Sequence, residues 1–144
     1  KMVKDSGLPG MRVFQFGFLG DDNSPHMPHN YPNNCVAYTG THDNNTLLGY
    51  LWELDDDTRR EMLAYVGHSG DWGLGWKSVI RAVLASHAGL VVMPIQDLLG
   101  YGRDTRLNVP GKADGNWSYR ITKEQLDSID REYYKKLNKR YARI

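Results

Sequence analysis

The chain is almost free of cysteine, because Cys35 is the single one among its 144 residues. This excludes an internal disulfide framework and fits a reducing compartment, so we expect a cytoplasmic protein. The sequence also lacks an apolar run of roughly 20 residues, the length that a membrane-spanning helix needs. Its first residues show no secretory signal. We therefore expect no membrane partner.

Excess charge is missing as well. The chain has 18 basic and 17 acidic residues, and its formal net charge is +1 at pH 7. A chain this close to neutrality has no overall field that would attract nucleic acid. The basic residues near the C-terminus recur at helical spacing, which is typical of the solvated face of a helix. We expect no nucleic-acid partner.

Glycine and aromatic residues are abundant, with 15 Gly, 9 Tyr and 4 Trp. A loop-rich domain with aromatic packing is one interpretation of this composition. Carbohydrate binding is the other, because sugars present flat C–H faces to aromatic rings and hydroxyls to Asp, Asn and His side chains. Composition alone leaves both interpretations open.

The pattern of apolar residues predicts strands that alternate with helices. Strands are predicted at 11–18, 35–41 and 90–93, and the segments 36–38 and 90–93 are typical of strands buried on both faces. Helices are predicted at 46–52, from 55 onwards with Thr58 and Glu61 as a capping box, at 76–87, and from Thr122 to the C-terminus. Strands separated by helices imply parallel βα units, so the predicted fold class is α/β.

Three polar segments follow the predicted strands, at 19–34, 42–45 and 96–116. Loops at the carboxyl ends of parallel strands converge on one face of a βα fold, where sites lie. Asp43 is the best candidate for a chemical role, because a carboxylate accepts hydrogen bonds from vicinal sugar hydroxyls and offsets positive charge in an oxocarbenium-like transition state. His42 can donate to another hydroxyl. The alternative, that His42 and Asp43 cap the next helix, is equally compatible with the spacing.

Other kinds of site have weaker support. His26, His29 and the His42-Asp43 pair contain possible metal ligands, but a lone H-x-x-H in a proline-rich loop lacks the helical spacing that aligns two imidazoles. The glycine-rich segment 67–75 lacks the terminal Lys-Ser/Thr of a phosphate loop. No G-x-S-x-G elbow is present. We expect neither a metal nor another cofactor.

Six blocks, in order, resemble the C-terminal part of the 4-alpha-glucanotransferases, the amylomaltases or disproportionating enzymes of glycoside hydrolase family 77. The blocks are LPGMRVFQF at 8–16, PHNY at 28–31, YTGTHDN at 38–44, PIQDLL at 94–99, RLNVPG at 106–111 and GNW at 115–117. Any single block would be weak evidence, whereas six in order are highly specific.

The resemblance implies the fold and the activity of that family. The fold is a (β/α)8 TIM barrel, to whose C-terminal part residues 1–144 would contribute about three βα units. The activity is the retaining transfer of α-1,4-glucan segments between maltodextrins through a covalent glycosyl-enzyme. Of three required carboxylates, only the transition-state-stabilising Asp has a match here, Asp43. His42 and Asn108 match sugar-contacting residues, and Asn44 is a further candidate for substrate binding.

The chain departs from the family pattern at two places. Many members have an aspartate where this chain has Asn45, which keeps the shape of the side chain and loses its charge. Many also have an acidic residue directly after the first of these strands, where this chain has Leu19-Gly20 before Asp21 and Asp22. These two aspartates are the candidates for binding substrate from that loop.

The resemblance also places the nucleophile and the acid/base outside the 144 residues. A retaining mechanism needs both carboxyl groups. We therefore expect the isolated chain to be inactive. Three strands also leave two open sheet edges, so we expect the rest of a barrel or a second copy as partner. The alternatives are a non-catalytic α-glucan-binding module and a purely structural fragment.

Overall fold

A parallel three-stranded sheet forms the centre of the computed structural model, which describes residues 7–18 and 21–144. The strand order is β1, β2, β3, with β1 at Gly10–Val13, β2 at Cys35–Tyr38 and β3 at Leu90–Val92. The predicted α/β class is thereby confirmed. The expectations that concern the first six residues and Leu19-Gly20 lie outside the described residues.

Helices connect and follow the strands. Those in the described part of the chain are α1 Leu47–Glu53, α2 Asp56–Tyr65, α3 Gly75–Ala85, α4 Ile95–Leu99, α5 Lys123–Asp127 and α6 Arg131–Arg140. Short 3₁₀ turns cover Phe14–Phe16, Pro28–Asn30, Trp72–Leu74 and Arg103–Thr105. Within this part of the chain, no helix has both the length and the apolar character needed to span a bilayer.

All three predicted strands end earlier than expected, the third by one residue, at Val92. The first was predicted to reach residue 18, but it ends at Val13, and a 3₁₀ turn follows in which the Gly17 N–H donates to the Phe14 carbonyl. The chain turns there because the proline-rich loop packs closely against it: a Cβ at position 17 would lie 2.9 Å from the His26 carbonyl oxygen. The second strand ends at Tyr38 and not at residue 41.

The prediction that β2 and β3 are buried on both faces was wrong. Helices cover one face, where Ala37 is fully buried. The register places Met11, Val36 and Leu90 side by side, and Met11 and Leu90 are 53% and 55% exposed. An apolar run indicates a strand whose two faces tend to be covered. It does not show whether the described residues include the elements that cover each face.

Side-chain caps fix several helix starts. Asp55 caps α2 by accepting from the Thr58 N–H, so the predicted box of Thr58 and Glu61 was wrong. The capping box predicted at Thr122 is confirmed. The single C-terminal helix that the apolar spacing predicted is divided into α5 and α6, because Asp130 caps a new start.

One buried carboxylate joins the end of the sheet to the helices. Asp97 in α4 is 1% exposed. Its Oδ2 accepts from the Thr39 hydroxyl at 2.6 Å, and its Oδ1 accepts from the Leu47 N–H at 2.7 Å. Thr39 follows β2 and Leu47 begins α1, so one side chain holds both ends of the loop between them. Burial raises the pKa of Asp97 to about 6, although these two hydrogen bonds act in the opposite direction.

We predict that Asp97→Ala lowers the free energy of unfolding by about 2–4 kcal/mol, because it leaves two buried donors without an acceptor. Asp97→Asn is the matched control, since its amide can still accept from Leu47 and donate to the Thr39 oxygen. Its loss should be at most about 1 kcal/mol. Urea denaturation measures the free energy of unfolding of both variants. Equal losses in the two would contradict a stabilising role of the hydrogen bonds that Asp97 accepts.

Comparison with Asp97→Asn also tests how the contribution of Asp97 to stability depends on pH. The folded-state pKa of Asp97 is raised above its ordinary value of 3.8 to about 6. The folded state therefore binds more protons, and the stability of the wild type relative to Asp97→Asn is greatest at low pH. We expect this difference to decrease as the pH rises through about 6.

Candidate functional site

The loop between β2 and α1 presents two polar side chains to solvent. Asn44 closes the turn, because its Oδ1 accepts from both the Thr41 N–H and the Thr41 hydroxyl at 2.9 Å. His42 and Asp43 then project outward with side chains that are 58% and 52% exposed. The side-chain carbonyl oxygen of Asn44, a predicted binding residue, is thus occupied by hydrogen bonds within this turn.

The helix-cap alternative for His42 and Asp43 was wrong. The N-cap of α1 is Thr46, whose hydroxyl accepts from the Gly49 N–H at 3.1 Å. Because the Thr46 cap is complete, the Asp43 carboxylate is not needed by the helix. The side chains that the spacing left undecided are available for another role.

A second loop, 65 residues further along the chain, reaches Asp43. Asn108 Nδ2 donates to Asp43 Oδ1 at 2.6 Å. Arg106 donates from Nη2 to the Asp43 carbonyl and from Nε to the Asn108 carbonyl, both at 2.8 Å. The fold therefore brings together three of the predicted site residues, because His42 Nε2 also lies 3.3 Å from Asp43 Oδ1.

One oxygen of Asp43 accepts no hydrogen bond from the described residues. All of these side-chain contacts reach Oδ1, and among residues 7–18 and 21–144 no group donates to Oδ2. A carboxylate has about four acceptor positions, so capacity for hydroxyl donors remains. Beside this turn lies a cleft of about 180 Å³, lined by Thr41, His42, Asn44, Arg106 and Leu107 among others.

Two residues at this site were not predicted from their chemistry. Arg106 joins the two loops, and the Trp117 ring lies 5.2 Å from the His42 ring, centroid to centroid. Both residues belong to sequence blocks that resemble the family, at 106–111 and 115–117, but neither was assigned a role there. Their place beside Asp43 depends on how the loop after α4 folds back, which spacing along the chain does not reveal.

Asp21 and Asp22 have other partners than this cluster. Asp21 Oδ1 accepts from the Asn23 N–H at 2.8 Å, and the Asp22 carbonyl accepts from Asn30 at 3.0 Å. Both aspartates line a different groove, together with Thr58 and other residues. A role for either one in binding substrate stays a prediction.

The histidines of the proline-rich loop have separate partners. His26 Nδ1 accepts from the Val13 N–H at 3.0 Å, and burial, with the nearby Arg12 charge, lowers the pKa of His26. His29 lies 2.7 Å from the Tyr65 hydroxyl through Nδ1. In the described part of the chain, no group of three or more His, Cys, Asp or Glu side chains is arranged to hold a metal ion.

Comparisons with known proteins find one family model and several similar sequences. A family model described as 4-alpha-glucanotransferase matches residues 1–126. The 4-alpha-glucanotransferase of Synechocystis is 44% identical over 121 residues, which are 83% of this chain and 24% of that protein. The chloroplastic/amyloplastic 4-alpha-glucanotransferase of Arabidopsis thaliana is 40% identical over 133 residues, 92% of this chain and 23% of that protein.

A solved structure extends the similarity to the fold. The amylomaltase from Streptococcus agalactiae, in complex with acarbose, superimposes with a TM-score of 0.91 and 31% sequence identity. The match covers 98% of this chain and 28% of that one. The chain thus spans about a quarter of the length of the relatives that it matches.

Asn45, the departure from the family motif, lies next to a carboxylate. It is 6% exposed, and its Nδ2 donates to Glu53 Oε1 at 2.6 Å. Its backbone carbonyl accepts from Gln15 Nε2, which reaches it from beyond β1. An aspartate at position 45 would place two carboxylates at this distance, whereas the amide supplies the donor that Glu53 accepts.

We predict that Asn45→Asp lowers the free energy of unfolding at pH 7 by about 2 kcal/mol, because a hydrogen bond is replaced by repulsion between two carboxylates. Adding Glu53→Gln should recover at least half of the loss, since a glutamine amide can donate to the introduced carboxylate. Thermal unfolding of both single variants and the double variant forms the complete cycle. If the effects of the two substitutions on the free energy of unfolding simply add in the double variant, an interaction between positions 45 and 53 is contradicted.

Proposed function

The chain belongs to the 4-alpha-glucanotransferase family, and from this membership we propose that His42, Asp43 and Asn108 form the sugar-binding part of an α-1,4-glucan transfer site. In this proposal Asp43 is the carboxylate that stabilises the transition state. The observation that carries it is the half-exposed Asp43 carboxylate, which Asn108 fixes from a different loop at 2.6 Å.

The chemistry of glucan transfer explains why such a carboxylate is useful. A retaining transfer passes through an oxocarbenium-like transition state, in which positive charge develops on the sugar ring. A fixed negative charge stabilises that state more than the neutral ground state. Asp43 can also accept hydrogen bonds from two vicinal hydroxyls, which orient the ring before reaction. His42 has an N–H to donate to a further hydroxyl.

Preorganisation is the contribution of the second loop. Asn108 donates to Oδ1, and Arg106 holds the backbone of both Asp43 and Asn108. The carboxylate therefore needs little reorganisation when a sugar binds, and a site fixed in advance loses less entropy on binding.

For the fold we propose about three C-terminal βα units of a (β/α)8 barrel over residues 1–144. The exposed apolar row that contains Met11 and Leu90 supports this proposal, since the inner face of a barrel strand packs against other strands. The remaining strands would cover this face and carry the nucleophile and the acid/base. Covering by a second copy of the chain stays a prediction.

Two other functions remain as alternatives, a non-catalytic α-glucan-binding module and a structural fragment. A cytoplasmic location also stays a prediction, because the relatives include both a Synechocystis protein and one named as chloroplastic/amyloplastic.

We predict that the purified chain binds acarbose and that Asp43→Asn weakens this binding by about 10-fold or more, because hydrogen bonds to a charged acceptor become bonds to an amide. Asp57→Asn, at an exposed position in α2, removes the same charge elsewhere and should leave the affinity unchanged. Isothermal titration calorimetry measures all three proteins. Absence of binding to the wild type would support the structural fragment.

We further predict no glucan transfer by the 144 residues alone, because two of the three carboxylates of the retaining mechanism have no match in them. Maltotriose incubated with the purified chain should yield neither glucose nor longer maltodextrins in chromatography. Products that appear with the wild type and disappear with Asp43→Ala would overturn this prediction.

A further inference from the structure

Trp117 has an unusual backbone conformation. Its φ is 61°, in the left-handed region, and the only other non-glycine residue with positive φ in the described part of the chain is Ala142. Steric contacts make this region unfavourable for a bulky side chain, whereas glycine adopts it freely. The Trp117 side chain is also poorly placed to stabilise the core, because the residue is 51% exposed.

The segment around Trp117 is bonded to both neighbours of Asn108. The Trp117 N–H donates to the Leu107 carbonyl. Asn116 Oδ1 accepts from the Val109 N–H at 3.0 Å. Asn108 lies between these two anchor points, so residues 116–117 fix the chain on both sides of it, in addition to the bond that Arg106 Nε donates to its carbonyl.

The ring of Trp117 reaches the other partner of Asp43. It lies 5.2 Å from the His42 ring between centroids, with an interplanar angle of 39°. Aromatic rings at this separation attract one another and restrict each other's rotamers. The His42 side chain is 58% exposed and also lies 3.3 Å from Asp43 Oδ1 through Nε2.

From these contacts we propose that Trp117 is a positioning residue for the sugar site. Its backbone N–H helps to fix the loop that carries Asn108, and its ring packs against His42, so one residue helps to orient both side chains that contact the Asp43 carboxylate. The inference rests on the proposed function for its ligand, an α-1,4-linked glucose unit. Backbone strain maintained by surrounding hydrogen bonds is typical of preorganised sites.

The role is distinct from that of a packing residue. If Trp117 served only stability, a glycine would be tolerated well, because it relieves the unfavourable φ and loses only a half-exposed ring. If Trp117 positions the site, glycine and alanine should both impair the site, although glycine is the less strained of the two. We therefore expect sugar binding to weaken in both variants, although the glycine variant should be no less stable than the alanine variant.

The first experiment needs no sugar. NMR three-bond side-chain couplings of the wild type, Trp117→Phe, Trp117→Ala and Trp117→Gly report the χ1 rotamers of His42 and Asn108. We expect one dominant rotamer for both residues in the wild type and in the phenylalanine variant, and averaged rotamers in the alanine and glycine variants. Wild-type couplings in Trp117→Ala would overturn the proposal.

The second experiment measures acarbose binding by calorimetry and melting temperature by circular dichroism. Trp117→Ala and Trp117→Gly should each weaken binding about 10-fold and Trp117→Phe at most about 3-fold, since a phenyl ring keeps part of the stacking. Trp117→Gly should melt at the same temperature as Trp117→Ala or above it. Trp52→Ala, at a 65% exposed tryptophan in α1, is the matched control and should bind like the wild type.

The two experiments separate this inference from the proposed function. Wild-type affinity in Trp117→Gly would overturn the positioning role and leave the sugar site intact. A wild type that does not bind acarbose would overturn the proposed function, while the NMR couplings would still decide whether Trp117 orients His42 and Asn108.

Discussion

The buried carboxylate of Asp97 is the interaction on which the rest of the site depends. It accepts from Thr39 at the end of β2 and from Leu47 at the start of α1, and it is itself carried by α4. The residues between these two points include the turn that presents His42 and Asp43. Gln15 holds the same loop from the side of β1 by donating to the Asn45 carbonyl. Side chains that follow the two outer strands thus fix the loop that follows the central one.

The sequence predicted part of this arrangement correctly. Polar residues at the carboxyl ends of parallel strands were expected to converge, and His42, Asp43 and Asn108 do so. Asp97 belongs to the polar segment 96–116 that was expected to follow the third strand, but its burial was not predicted, because its two partners, Thr39 and Leu47, lie far away along the chain. The choice between helix cap and site at Asp43 was equally inaccessible, since spacing does not show that Thr46 completes the cap.

The errors in the fold have a common physical origin. Apolar periodicity reports how well a segment suits burial, not what buries it. Residues 90–93 are apolar enough for both faces of a strand to be covered, yet Leu90 and Val92 are 55% and 43% exposed. Likewise, Leu126 continues the apolar stripe of one predicted C-terminal helix, although Asp130 starts a second helix and leaves Leu126 43% exposed. A periodic pattern shows neither where a helix is interrupted nor which element covers an apolar face.

The placement of charge explains why Asp43 is the reactive candidate in this loop. Asp97 is buried and spends both oxygens on internal donors, while Asn45 is buried as a neutral amide facing Glu53. An unpaired charge at either inner position would lose its hydration without compensation. Asp43 instead lies where a charge stays partly hydrated, with Oδ1 bonded to Asn108 and with no donor to Oδ2 among the described residues. The polar groups in the interior of the loop are hydrogen-bonded to one another and to the neighbouring elements, and these bonds give the exposed carboxylate a defined direction.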